Sequence, residues 1–249
     1  MQEVLVRETM PSIALPPKNY EITRETAIAW RCNWEADLAE SNPQNYVRSF
    51  RIDRAEIETI LAVPGAAYIR LYFGRAQRGS QDKLILVAVD RNKKDMIEPG
   101  VGAFYDFTSP CPTQCDGTFS WFTGIRVRIK GVPPAAREES SPRESYEITR
   151  ETAVAWRRNW EADLLESQPK NYVRSFRIDR EELELILSTP GAAYMRLYFG
   201  RVERGSQDKL ILVAVDRNRE DIVEEGIGAF YDFTSPCPTA CDGLEDWWS

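Results

Sequence analysis

Tyr20 to Gly117 returns as Tyr146 to Gly243 at a constant offset, without a gap and with roughly four positions in five identical. A period this long is a whole small domain, so the pattern specifies tandem domains and not a solenoid of short units. The register continues past the cysteines, where Trp121-Phe122 meets Trp247-Trp248. Differences between the copies are conservative inside (Ile28/Val154, Ile57/Leu183, Ile69/Met195, Met96/Ile222) or lie at expected surface positions such as Lys94/Glu220. Both copies are therefore built to fold. The boundaries expected from this pattern are an extended arm over 1–19, a first repeat domain over 20–122, a linker over 123–145 and a second repeat domain over 146–249. Ile125 to Lys130 alternates apolar and basic residues within the linker, which predicts a short half-exposed strand.

The periodicity within each copy predicts six elements in the order α-β-α-β-β-β. Thr23 caps a first helix whose Ala27, Trp30, Trp34 and Leu38 share one face, and Asn42-Pro43 ends it. Val47 to Ile52 reads as a short strand. Asp53 with Glu56 three residues on forms the signature of a second helix, whose buried side is Ile57, Ile60 and Leu61. Tyr68 to Phe73 and Leu84 to Val89 read as a hairpin, and Ala103 to Phe107 as a final strand that delivers the cysteine segment. The fold class expected is α+β: two near-identical domains, each a small, mainly antiparallel sheet with two helices packed on one face.

Composition bounds the chemistry. Histidine is absent from all 249 residues, which removes imidazole-based triads, the commonest general base and most catalytic zinc sites. A formal charge of -7 disfavours nucleic acid and anionic membrane surfaces as partners of the whole molecule. No apolar run reaches the roughly 18 to 20 residues of a membrane helix, so a soluble, cytoplasmic protein without membrane contact is expected. Five cysteines are too few for a disulfide scaffold, and the odd number leaves one without an intramolecular partner.

Two constellations stand out. Cys111-Pro112-Thr113-Gln114-Cys115 recurs as Cys237-Pro238-Thr239-Ala240-Cys241, and proline at the first position of a helical turn would set each sulfur pair on one face. Three readings are open: Cys111, Cys115, Cys237 and Cys241 as ligands of one shared zinc, a local disulfide or redox pair in each copy, or structural thiols that fasten the segment to its sheet. Zinc is possible but not favoured, since paired zinc ligands are more often two residues apart. The other constellation is the alternating face Tyr68, Arg70 and Tyr72, repeated as Tyr194, Arg196 and Tyr198. With Arg48, Arg75 and Arg78 nearby, it has the composition of a stacking platform for a nucleotide or single-stranded nucleic acid. Ordinary cross-strand contacts, or cover by the other domain, are the competing explanation.

Pro64-Gly65-Ala66, Arg70 to Gly74, Leu84 to Asp90 and Cys111-Pro112-Thr113-x-Cys115 together resemble a family of small bacterial single-domain proteins of unknown function. They are about one repeat long and end in a Cys-Pro-x-x-Cys segment. The resemblance implies a bacterial, intracellular setting and carries over no catalytic residue. With no acid and base pair that can be named, the function expected is a non-enzymatic tandem-domain binding or assembly module, as a fused version of a symmetric dimer, with intramolecular repeat pairing or another protein chain as partner. The alternatives are a thiol-based metal or redox protein, and a nucleotide or single-strand binder.

Overall fold

In the computed structural model, residues 21–41, 47, 49–98, 101–106, 109–111, 147–167, 173, 175–224, 227–232 and 235–237 are described. The first repeat contributes β1 (Glu21–Ile22), α1 (Arg24–Ser41), β2 (Ser49–Asp53), α2 (Arg54–Leu61), β3 (Tyr68–Arg75), β4 (Asp82–Val89), β5 (Phe104–Tyr105) and β6 (Ser109–Cys111). The second contributes β7 (Glu147–Ile148), α3 (Arg150–Ser167), β8 (Ser175–Asp179), α4 (Arg180–Leu187), β9 (Tyr194–Gly200), β10 (Lys209–Val215), β11 (Phe230–Tyr231) and β12 (Ser235–Cys237). The class is α+β, with antiparallel pairing in every described strand pair.

Local chemistry sets the helix starts. Thr23 Oγ1 accepts the Thr26 amide at 3.1 Å and Thr149 Oγ1 accepts the Thr152 amide at 3.2 Å, which satisfies an otherwise orphaned donor at the head of α1 and of α3. At α2 and α4 the capping box forms as the sequence predicts: the Glu56 carboxylate accepts the Asp53 amide at 2.8 Å, and Glu182 accepts that of Asp179 at 3.0 Å. Ile57, Ile60 and Leu61 then fall on the buried side of α2.

Strand pairing exchanges the repeats. One sheet runs β1-β11-β10-β9-β2-β6 and the other β12-β8-β3-β4-β5-β7, so each is six-stranded and draws three strands from each repeat. The hairpin β3–β4 forms within its own repeat, with Tyr68 opposite Val89 and Arg75 opposite Asp82. On its other edge, however, β3 pairs with β8 of the second repeat, and β9 reciprocally pairs with β2 of the first. The 20–122 and 146–249 segments are thus units of sequence, while the units of packing are two interleaved halves.

Alternation along the strands sorts side chains between an inner and an outer layer. Leu210, Leu212 and Ala214 of β10 enter a core shared by both sheets and by α2 and α4. Ile211, Val213 and Val215 face outward, onto Ala27, Ile28 and Trp30 of α1. The counterpart face around Ile85, Val87 and Val89 is covered by Ala153, Val154 and Trp156 of α3. Each long helix therefore sits on the outer face of a sheet whose hairpin belongs to the other repeat. At the centre of the shared core, Trp34, Phe199, Phe73 and Trp160 stack in a row with centroid spacings of 5.4, 5.8 and 5.5 Å. Each such pair adds about 0.5–1.5 kcal/mol beyond its area burial. The middle contact, Phe73 on Phe199, joins the two repeats directly.

One glycine pair makes the outer packing possible. A Cβ on Gly74 would stand 2.9 Å from Ile85 Cδ1 and 3.1 Å from Trp156 Cβ; on Gly200 it would stand 3.0 Å from Ile211 Cδ1 and 3.1 Å from Trp30 Cβ. The helices approach the strand ends this closely because there is no side chain there. No described helix is long and apolar enough to cross a membrane.

Candidate functional site

The Tyr-x-Arg-x-Tyr strands carry the most concentrated polar chemistry, and the structure places most of it inside. Arg70 and Tyr72 are fully buried, with Arg196 at 2% and Tyr198 at 1% exposure; Tyr68 and Tyr194 are half-buried. The expectation of an open stacking platform at Tyr68, Arg70, Tyr72, Tyr194, Arg196 and Tyr198 is corrected for Arg70, Tyr72, Arg196 and Tyr198, while Tyr68 and Tyr194 keep part of their surface exposed. A base cannot stack on side chains that have no solvent-facing surface. The cover is the long helix of the other repeat together with the turn that follows the hairpin.

That turn explains why a guanidinium is tolerated there. Arg70 Nη1 donates to Asp95 Oδ1 and, at 3.2 Å, to the Tyr72 hydroxyl, while Nη2 donates to the Lys93 carbonyl at 3.0 Å. The Tyr72 hydroxyl in turn donates to Asp95 Oδ2. Lys93 adopts φ +66°, a left-handed conformation, and its carbonyl is the one Arg70 holds. The same network recurs with Arg196, Tyr198, Asp221 and the carbonyl of Arg219, itself at φ +66°. Burial first, and the neighbouring Asp95 charge next, raise the Tyr72 hydroxyl pKa, so it stays a donor at all physiological pH values. The segment Asp90 to Asp95 accordingly closes as a turn, with Asp90 Oδ1 accepting the Lys94 amide at 2.9 Å.

Two further buried arginines fasten helix to sheet. Arg31 Nη1 donates to the Phe199 carbonyl and Arg157 Nη1 to the Phe73 carbonyl, each at 3.1 Å, with the guanidinium planes 4.6 Å from the Trp34 ring and 4.5 Å from the Trp160 ring. These are long-range bonds between repeats. The signal that could have located them is their phase: Arg31 lies four residues after Ala27 and three before Trp34, on the same helical face.

β2 and β8 bear the remaining arginines of the outer face, and here the copies diverge. Arg177, opposite Arg70, lies 4.9 Å from the Tyr68 ring and pairs with Asp179 at 4.0 Å. Arg51, opposite Arg196, lies 5.0 Å from the Tyr194 ring, keeps only 8% of its surface exposed, and has Nε and Nη1 buried without an acceptor. Burial first and the like charge of Arg219 next lower the Arg51 pKa. Asp53, two residues on, forms no ion pair with Arg51; burial pushes its own carboxyl pKa up. The hydroxyls of Ser49 and Ser175, on the same strand faces, are also buried without partners. Neither Arg51 nor Ser49 is distinguished by any sequence motif, since Ser-Phe-Arg-Ile-Asp is identical in the two repeats.

A cleft of about 460 Å³ lies where α2 and α4 approach each other, lined by Arg54, Glu58, Leu61 and their counterparts Arg180, Glu184 and Leu187. Its charged groups are already engaged with one another. Arg54 bonds Glu58 at 2.8 Å and the Ala192 carbonyl at 3.1 Å, and Arg180 bonds the Ala66 carbonyl at 2.8 Å. The cleft is a seam between repeats.

The cysteine expectations fall largely outside the described residues. Cys111 ends β6 with Ser49 as register partner, and Cys237 ends β12 opposite Ser175, so the two backbone positions lie on different sheets. Cys115, Cys241 and the 125–130 strand lie outside the described residues. Among the described residues no group of three acidic or cysteine side chains has the geometry of a metal site, and Cys32, the unrepeated cysteine, is an exposed free thiol. Comparison with family models, curated proteins and solved structures finds no match to this chain.

Proposed function

We propose that the chain is a non-enzymatic assembly module, in which two repeats pair within one polypeptide to form a single rigid body with two like outer faces. The observation that carries the reading is the exchange of strands: β2 completes the sheet of β9, and β8 completes that of β3. A fused symmetric pair is the economical use of such an exchange, because the linker replaces a bimolecular association with an intramolecular one. Supporting it, the residues with the greatest chemical capability, Arg70, Tyr72, Asp95 and their counterparts, are spent as struts beneath the helices. The partner is another protein chain, and the solvent-facing sides of α1 (Glu25, Ala29, Cys32) and α3 (Glu151, Ala155, Arg158), one on each sheet, make the module bivalent. A cytoplasmic setting accords with the low cysteine count.

The test separates the repeats. A fragment spanning 20–122 should either form a homodimer or fail to fold, as read by size-exclusion with light scattering and circular dichroism, because its β3 lacks the strand that pairs with it. A folded, strictly monomeric fragment would overturn the reading.

A further inference from the structure

We infer that the first turns of α2 and α4 are a pair of proton-operated latches between the repeats, one closed by the Glu56 carboxyl and the other by the Glu182 carboxyl. The inference adds regulation to the assembly reading and rests on it, since a latch needs two repeats that pair.

The first ground is where the bonds between the repeats fall. The Arg54 amide donates to the Ala193 carbonyl at 3.0 Å and Arg54 Nη1 to the Ala192 carbonyl at 3.1 Å. Reciprocally, the Arg180 amide donates to the Ala67 carbonyl at 2.9 Å, and Arg180 Nε and Nη2 donate to the Ala66 carbonyl at 3.0 and 2.8 Å. Each arginine is the first residue of its helix and stands between the Asp and the Glu of the capping box. The turn that the box closes is therefore the turn that grips the other repeat. Because Glu56 accepts the Asp53 amide and Glu182 that of Asp179, a carboxyl that swings out to water frees the residue next to the grip. Asp53 and Asp179 also end β2 and β8, opposite Tyr194 and Tyr68, so an open box frays the ends of both exchanged ladders.

The second ground is the surroundings of each carboxyl. Glu56, 9% exposed, faces Asp53 and Arg51 from β2 and Asp106 from the segment after β5; Glu182 faces Asp179, Arg177 and Asp232 in the same places. Lys83 and Lys209 are bonded to Asp106 and Asp232, Arg219 acts on Arg51 and Asp53, and Glu181 acts on Asp179. Burial first, with the like charges of Asp53 and Asp106, outweighs the Asp53 amide and Arg51, which favour the ionised form, and pushes Glu56 up to about 8. The matching balance among Asp179, Arg177 and Asp232, again led by burial, pushes Glu182 up to about 7. In an opened turn each is an ordinary glutamate. Both latches therefore hold most firmly at low pH and loosen as pH rises, through about 7 at α4 and about 8 at α2. The α2 latch loosens further.

Amide hydrogen exchange of the full chain, read by NMR and divided by the intrinsic exchange rate, tests this. Between about pH 5.5 and about pH 8.5 the protection of the Arg54 and Arg180 amides should fall tenfold or more. At the upper pH both should exchange ahead of the β3–β4 ladder amides, which open only with the whole fold. Glu56→Gln keeps an acceptor for the Asp53 amide and cannot ionise, so it should hold Arg54 protected at the upper pH and leave Arg180 as in the native chain. Glu182→Gln should do the converse. Protection that does not change with pH, latch amides that never exchange ahead of the ladder, or a fall at Arg54 that persists in Glu56→Gln would each overturn the inference. None of these outcomes alters the strand exchange or the fragment result, so the two proposals fail separately.

Discussion

Arg51 and Arg177 occupy the same place on strands of identical sequence, yet only Arg177 has a carboxylate within reach. What differs is the facing turn of the other repeat, where Lys93 stands against Arg177's strand pair and Arg219 against Arg51's. The charge of Arg219 acts on Arg51 across the two repeats and, after burial, lowers its pKa. Interleaving is the reason: each repeat supplies the surroundings of its twin, so near-identical copies acquire unlike environments. The struts beneath, in contrast, are alike in both halves.

The largest effect should come from the layer that is alike. Asp95→Ala and Asp221→Ala each strand a buried arginine, and removing one partner of a buried pair typically costs about 3–5 kcal/mol. Equal losses in urea denaturation would show that the two struts are equivalent; a difference of more than about 1 kcal/mol would break the likeness. Next, Gly74→Ala and Gly200→Ala should each cost about 1–3 kcal/mol by overpacking against the facing helix, with Gly74 the tighter of the two. Melting temperature measures this, and an unchanged value in either variant would mean that the helix slides away freely.

Smaller effects separate the unlike layer. Arg51→Met should be neutral or stabilising, since it removes a buried guanidinium whose Nε and Nη1 have no acceptor, whereas Arg177→Met should lose about 0.5–1 kcal/mol with its ring and carboxylate contacts. Denaturant midpoints that fall equally for both would erase the distinction. The most graded effect is with pH. Burial, ahead of the charge of Asp53, pushes Glu56 up to about 8, and burial likewise pushes Glu182 up to about 7, both from an ordinary value of 4.5. These groups bind a proton more tightly folded than unfolded. Their contribution is fully present below about pH 4.5 and lost as pH rises through about 7 for Glu182 and about 8 for Glu56. Glu56→Gln should flatten the upper part of that stability profile and Glu182→Gln the lower part; profiles unchanged by both would place the pH dependence elsewhere.

Elements were readable from the sequence, and partners were not. Thr23, Asp53 and Glu56 announce their helices because capping is settled within four residues, and the unbroken apolar run Leu84 to Val89 announces a strand buried on both faces. Strand exchange was illegible for a specific reason. With β2 and β8 identical in sequence, β3 could pair with either at the same hydrogen-bond energy, and chain connectivity decides between them. The Tyr-Arg-Tyr face leaves two readings open in the sequence because its polarity suggests water, while the acid that satisfies it, Asp95, lies 25 residues on in a turn. A second acid at the same spacing, Asp221 after Arg196, is the one trace of the network in the sequence. Arg51 leaves no trace, as its environment is written in the other repeat.

The exchange of strands also bears on how chains meet one another. A half that completes its twin can equally complete the twin of a neighbouring molecule, and two open halves added head to tail propagate instead of closing. What favours closure is the covalent link between the two repeats, which makes their pairing intramolecular; short flexible tethers give effective concentrations on the order of millimolar. Below that concentration the monomer wins; shortening the link until its ends no longer span β6 to β7 would turn the same two repeats into a self-polymerising chain.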